Sequence, residues 1–213
     1  MLPYFHIYEE HVENREEVTM GFGKLFIVSA PSGSGKTCLV KDILEECGKK
    51  NSIKRAVTYT TRPPREGEID GEHYHFISTD EFKKKIDENY FLEWSTWYDY
   101  FYGSPASLLE RIQEGISFVA ILDRSGAKDV FAVYPHTYLI WIEPPSLEIL
   151  KERLIKRGKD SEATIENRLR KASIEMVQEK QEQFYQYHII NDDYETAKKD
   201  LLSLFNQALG ICS

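Results

Sequence analysis

An α/β fold, a parallel sheet flanked by helices that carries a small inserted α+β subdomain, is predicted by three features of the 213-residue chain. Apolar runs of strand length alternate with helix-length segments, the order that builds parallel sheets. A Gly/Ser-rich turn, Ala30-Pro31-Ser32-Gly33-Ser34-Gly35-Lys36-Thr37, joins the apolar run Lys24-Leu-Phe-Ile-Val-Ser29 to the first helical segment. Residues 66–104 then break the alternation with Tyr, Phe and Trp and with turn signals at Asp70-Gly71 and Tyr98-Asp99, which marks an insertion.

Residues 1–20 are rich in Glu and show no clean period, so they are expected to lie outside the core, with Met20 a candidate start. From Gly21 a strand runs to Ala30, a helix covers about Gly35 to Cys47, and a strand lies near Arg55 to Thr60. Within the insertion a helix is expected near Asp80 to Asn89. A helix near Pro105 to Glu114 follows, then strands at Ser117 to Asp123 and Thr137 to Ile142, the second closed by Pro144-Pro145. Ser146 caps the next helix, with Glu148 and Glu152 near its start, Lys156 and Arg157 near its end, and Gly158 as its stop. A long polar helix begins at about Ser161, a short strand spans His188 to Ile190, and an amphipathic helix closes the fold from Tyr194 to Leu209. The implied organisation is a core of residues 21–61, 105–150 and 185–209, a subdomain at 62–104, a helical segment at about 151–184, which the family resemblance given below makes a lid, and a tail at 210–213.

With 41% hydrophobic and 29% charged residues the chain is expected to be one globular unit with subdomains. No apolar run approaches the roughly 20 residues needed to span a bilayer, and the start lacks a secretory pattern, so a cytoplasmic location is expected. Cys38, Cys47 and Cys212 form no closely spaced metal pair and suit packing in a reducing compartment. A net charge of −8 argues against a nucleic-acid or membrane surface, and no obligate protein partner is indicated. Small phosphates remain compatible if positive charge is gathered locally. It is: residues 151–171 hold eight Lys or Arg against four Asp or Glu.

The turn at Ala30–Thr37 has the setting in which backbone N–H groups at a helix start cradle phosphates. There Lys36 would reach the β- and γ-phosphates of a nucleotide and the Thr37 hydroxyl would coordinate Mg²⁺. The usual pattern opens on Gly, and Ala30 departs from it.

The segment VSAPSGSGKT, followed by TYTTRPPREGEIDGEHYHF, FLEW, FYGS, ILDRSGA, PPS, RLIKRGKDSE and INDDY, resembles the guanylate kinase family in order and spacing over roughly residues 22–209. The resemblance implies that ATP is the phosphoryl donor, with Mg²⁺, and that GMP and dGMP are the acceptors. It places Arg62 and Arg65 on the acceptor phosphate, where planar guanidinium groups make paired bonds to phosphate oxygens, and adds the hydroxyls of Tyr74 and Tyr102. It implies that Glu93 reads guanine N1–H and the exocyclic amine. A carboxylate accepts from both donors, whereas adenine would set a lone pair against it. Ser104 and Thr58 match neighbouring base contacts, Thr58 standing where many members carry Ser. Asp123 matches the second aspartate of a Leu-Asp-Ile-Asp segment whose first is replaced by Ile121; it assists base recognition, holds Mg²⁺ through water, or merely ends a strand. Arg153, Arg157 and Arg168 match lid positions, the last two over the phosphates, and Lys159 replaces a small hydroxyl residue. Asn191 matches a residue that touches the adenine amine, and Asn191-Asp192-Asp193 also suit an Asx turn opening the final helix, the two being compatible. His73 and His75 lack the further ligands a metal site needs and suit structural places.

Overall fold

The computed structural model describes residues 21–48, 53–97, 99–158 and 160–211. The expected extension at 1–20, and the readings of Tyr98, Lys159 and Cys212, lie outside the described residues. In chain order the strands are β1 (Leu25–Ser29), β2 (Lys54–Arg55), β3 (Thr58–Thr60), β4 (Tyr74–Phe76), β5 (Phe91–Trp97), β6 (Tyr100–Pro105), β7 (Phe118–Ile121), β8 (Thr137–Glu143) and β9 (Tyr187–Ile190). The helices are α1 (Lys36–Gly48), α2 (Thr79–Asp87), α3 (Ser107–Gln113), α4 (Arg124–Val133), α5 (Leu147–Arg157), α6 (Glu162–Glu182) and α7 (Tyr194–Leu209). One sheet has the order β2-β7-β1-β8-β9 and the other β4-β3-β6-β5. β1 is buried at every position, as strands in covered parallel sheets are. Two compact units result, one containing Lys54–Ala120 and Ser125–Thr137, the other Phe26–Ile53, Ile121–Arg124 and Tyr138–Ser213.

In the first unit the strand expected at Arg55 to Thr60 is two strands that serve different sheets. Lys54 and Arg55 pair in parallel with Phe118 and Val119, and Ala56 still donates to Val119 O at 2.9 Å. Two residues later Thr58 pairs with Tyr74, and Tyr59 with Gly103. Side-chain alternation runs on through such a change of partner, so periodicity does not reveal it. Ser78 caps α2 by accepting from Glu81 N at 3.2 Å, and Phe82 of that helix is fully buried. Phe82 stacks on Phe91 at 4.4 Å and on Phe101 at 5.3 Å. A Cβ on Gly103 would come within 2.9 Å of Phe91 and 3.0 Å of Phe82, so this strand position has no room for a side chain.

In the second unit Phe26 stacks on Tyr138 and on Phe205, at 4.9 and 4.1 Å. Helices α5 and α6 start and stop on local signals. Ser146 accepts from Ile149 N at 3.3 Å, Gly158 closes α5 in the left-handed region at φ +64°, and Ser161 caps α6 by accepting from Thr164 N at 3.3 Å. Leu150, Leu154, Ile165 and Ala172 form the seam between α5 and α6, with Leu147 and Leu169 against it. Helix α4 is an element the sequence pattern leaves unmarked: it is short, and Gly126, Val130 and Val133 are weak helix formers. Among the described residues no helix is long and apolar enough to cross a membrane.

Candidate functional site

The turn ahead of α1 is shaped by two glycines in the left-handed region, Gly33 at φ +100° and Gly35 at φ +85°. Neither has room for a side chain. A Cβ on Gly33 would meet Leu150 and Leu154 at 2.9 Å, and one on Gly35 would meet Asn191 Nδ2 at 2.4 Å. Pro31 O accepts from Ser34 N at 3.2 Å, and Gly35 O accepts from Cys38 N and Leu39 N at 3.1 Å, which starts the helix. The unpaired amides of a helix's first turn carry partial positive charge, and Thr37 is exposed there. Asn191, buried at 3% exposure, donates from Nδ2 to Ser34 O at 2.7 Å. The cap of α7 is instead Asp193, whose Oδ1 accepts from Thr196 N at 2.8 Å. Asn191 therefore fastens the loop, and the turn that opens α7 belongs to Asp193. Cys38 is exposed on α1, unlike the packing place expected for it, while Cys47 is buried.

Lys36 has its pKa lowered by burial, against the raising influence of Glu175 and Asp123. A desolvated ammonium flanked by two carboxylates suits a site that receives polyanionic phosphate. Glu175, on α6, is a residue the sequence did not single out. Burial raises its carboxyl to about 7, with Asp123 adding to the rise and Lys36, Lys171 and Arg124 opposing it. Its folded pKa is above the unfolded one, so the folded chain keeps a proton that the unfolded chain loses between about pH 4.5 and 7. Stability from this group is present below that window and is lost as pH rises through it, by an amount on the order of 3 kcal/mol. Glu175→Gln is thus expected to match the wild type at pH 4.5 and to exceed it at pH 8. Urea midpoints at the two pH values check this, and a gap that does not widen contradicts it.

Arg157 and Arg168 meet on one carboxylate. Arg157 Nη2 lies 2.6 Å from Asp160 Oδ2 and Arg168 Nη2 lies 3.0 Å from Asp160 Oδ1, while Arg168 Nη1 donates to Ser32 Oγ at 3.3 Å. Arg153 points elsewhere, donating to Asp192 O at 3.2 Å. Farther along α6, Glu179 is 2% exposed and pairs with Arg124, which also bonds Glu182 at 3.0 Å. Glu179 Oε1 accepts from Tyr185 N at 3.0 Å and lies 3.3 Å from His188 Nε2.

The first unit supplies a second group. Directly paired residues share a sheet face. The registers Thr58 to Tyr74, Thr60 to Tyr102 and Glu93 to Ser104 therefore place Thr58, Tyr74, Tyr102, Ser104 and Glu93 on one face. A bulge between Phe91 and Glu93 makes this possible, because it sends Phe91 to the apolar side with Phe82 and Glu93 to the polar side. Glu93 is 6% exposed, and Oε1 accepts from Ser104 Oγ at 2.6 Å. Arg62, 8% exposed, has its guanidinium 5.5 Å from the Tyr74 ring and donates to Pro63 O and Glu68 Oε1, each at 2.8 Å. The other oxygen, Glu68 Oε2, accepts from Arg65 N at 2.7 Å, so one carboxylate folds the whole arginine loop. Burial alone would raise the Glu68 pKa, but the bonds from Arg62 and Arg65 hold it low. Burial would likewise lower Arg62, and the Glu68 bond overrides it. The Arg65 side chain is exposed. His73 Nδ1 accepts from Ile69 N and His75 packs on Tyr59. Among the described residues no cluster of three His, Cys, Asp or Glu could hold a metal.

A strand, a glycine-turned loop and a helix that opens on a desolvated lysine define a nucleotide-phosphate protein of the P-loop class. The family model for guanylate kinase matches residues 22–208. The chain is 40% identical over 183 residues to a guanylate kinase of Shewanella sp. (strain MR-7), covering 85% of this chain and 86% of that one. It is 41% identical over 182 residues to one of Clostridioides difficile (strain 630), covering 84% and 85%. The crystal structure of guanylate kinase from Anaplasma phagocytophilum superposes with a TM-score of 0.69 at 26% identity, over 89% of this chain and 87% of that one. The chain belongs to the guanylate kinase family.

Proposed function

We propose that this protein transfers the terminal phosphoryl group of ATP to GMP and dGMP, giving ADP and GDP or dGDP, by direct in-line displacement. The observation that carries the acceptor assignment is the buried pair Glu93 and Ser104 on the sheet face shared with Tyr74, Tyr102 and Thr58. The Glu93 carboxylate is an acceptor when ionised, which matches the two donors of guanine, N1–H and the exocyclic amine. Thr58 and Ser104 line the base. Arg62, Arg65, Tyr74 and Tyr102 bind the acceptor phosphate, Arg62 pre-set by Glu68.

ATP lies along Ala30–Thr37, with the backbone N–H groups of Ser32, Gly33, Ser34 and Gly35 near its phosphates, Pro31 shaping the loop without an N–H of its own, and Lys36 on the β- and γ-oxygens. Asn191 keeps an acceptor, Oδ1, for the adenine amine. A kinase site holds Mg²⁺ mainly through phosphate oxygens and water. Thr37 would ligate it directly and Asp123 through water, and the ion would neutralise charge on the transferring group. Lys36, Arg157 and Arg168 supply the protein's share of that neutralisation, and no general base is required because the loose transition state depends on position and charge.

A coupled ADP-release assay with GMP, dGMP, AMP, UMP and CMP tests the assignment. GMP is expected to be preferred over AMP by roughly 10³-fold or more in kcat/KM, because the wrong base leaves a buried acceptor unpaired. Glu93→Gln is expected to erase most of that preference. Equal turnover of AMP and GMP by the wild type would overturn the reading of Glu93. ATP and GMP binding without any turnover would favour a non-catalytic phosphopeptide-binding module.

A further inference from the structure

Resting on the ATP-dependent transfer just described, we propose that Asp160 is a positioning residue that joins Arg157 and Arg168 into a single phosphate clamp. Asp160 lies in the turn between α5 and α6, where a carboxylate would ordinarily be solvated. Its side chain is instead 8% exposed. Each oxygen takes a different guanidinium: Oδ2 is 2.6 Å from Arg157 Nη2, and Oδ1 is 3.0 Å from Arg168 Nη2. Arg157 lies three residues away, and a pair at that spacing could be local decoration. Arg168 belongs to the other helix and has its own side chain only 14% exposed, so the second pair ties two helices together.

Two functional consequences follow from this geometry. Guanidinium groups gathered on one carboxylate repel each other, and the buried anion between them offsets that repulsion where water screens little. A guanidinium carries five donors in a planar fork, more than one carboxylate oxygen takes up, which suits a group that meets a carboxylate and phosphate oxygens together. Arg168 Nη1 reaches Ser32 Oγ at 3.3 Å, which sets the clamp against the phosphate loop. Gly158 ends α5 in the left-handed region at φ +64°, two residues before Asp160. Asp160 thus acts through the arginines and does not itself touch the nucleotide.

Asp160→Asn keeps the shape, removes the charge and sets an amide against a guanidinium donor. Its dissociation constant for Mg·ATP, measured by calorimetry without GMP, is expected to weaken about tenfold, the scale of one lost charge-assisted bond. In the GMP assay kcat should fall by a comparable factor while KM for GMP stays at the wild-type value, and the urea midpoint should drop only so far that the chain stays folded throughout the assay. Asp160→Glu should recover part of the loss. Adding Asp160→Asn to Arg168→Ala should cost far less than it does alone, as coupled groups do. An unchanged Mg·ATP constant in Asp160→Asn, a full additive loss in the Arg168→Ala background, or a loss explained by a lowered urea midpoint would each overturn the clamp. Weakened Mg·ATP binding in a chain that turns over no GMP would uphold the clamp and overturn the acceptor. Normal GMP turnover with unmoved Mg·ATP binding would do the reverse.

Discussion

Lys36→Ala is expected to lower kcat for GMP phosphorylation by roughly 10²- to 10³-fold, the scale for removing one preorganised charge from a transition-state site. The urea midpoint should barely move. The ammonium is desolvated, which disfavours its charge, and its attraction to Glu175 and Asp123 offsets that burial. Removing it leaves Glu175 less opposed, but that carboxyl already titrates at about 7 and can take up a proton instead of standing as an uncompensated charge. Catalysis and stability are therefore separable at this position. Steady-state turnover together with urea unfolding checks both. Turnover within tenfold of the wild type would remove Lys36 from the phosphate site.

Glu179→Gln is expected to have the largest effect on stability, a loss of about 3 kcal/mol, at the lower edge of the range for breaking a buried ion pair. Glu179 is 2% exposed and holds Arg124, the Tyr185 amide and His188 together. The Gln oxygen can still accept from Tyr185 N, and Glu182 still faces Arg124 at 3.0 Å, which keeps the loss from growing further. Arg124 itself is 8% exposed and loses its fully buried counter-charge. Arg124→Met combined with Glu179→Gln should therefore be more stable than the two single losses add to, by roughly 1–3 kcal/mol, as coupled partners show. Urea midpoints of the three variants measure that coupling, and strict additivity would contradict it. Because Arg124 follows Asp123 directly and Glu179 shares α6 with Arg168 and Glu175, the variants should also report whether this end of the helix steadies the phosphate site.

Local chemistry made much of the fold legible. The helix cap at Ser146 and the stop at Gly158 depend on neighbouring residues alone and form as expected, and the long polar helix begins at Ser161, whose hydroxyl accepts from Thr164 N. The last helix runs from Tyr194 to Leu209, the span its apolar periodicity indicates. The loop at residues 30–37 was legible for the same reason: its glycines, lysine and threonine are consecutive, and their conformations are set within a few residues.

Other features depended on partners distant in sequence. Glu179 continues the buried stripe of α6 at Ile165 and Ala172, where an apolar residue would be expected, and its partner Arg124 is 55 residues away. The displacement of a charge into an apolar position was the visible signal, but nothing nearby named its counter-ion. Asn191 stands beside the turn before the last helix in sequence, yet its amide bonds Ser34, 157 residues earlier. Asp160 is three residues from Arg157, yet its burial depends on Arg168 and the packing of two helices.

What the sequence determined by itself was the α/β class, the phosphate loop and the family to which the chain belongs, because each is written in contiguous motifs. Only the tertiary structure decided that residues 54–60 serve two sheets, that a bulge turns Glu93 to the polar face beside Ser104, and which carboxylate each arginine meets. Backbone pairing and burial set those outcomes, and both depend on segments brought together only when the chain folds.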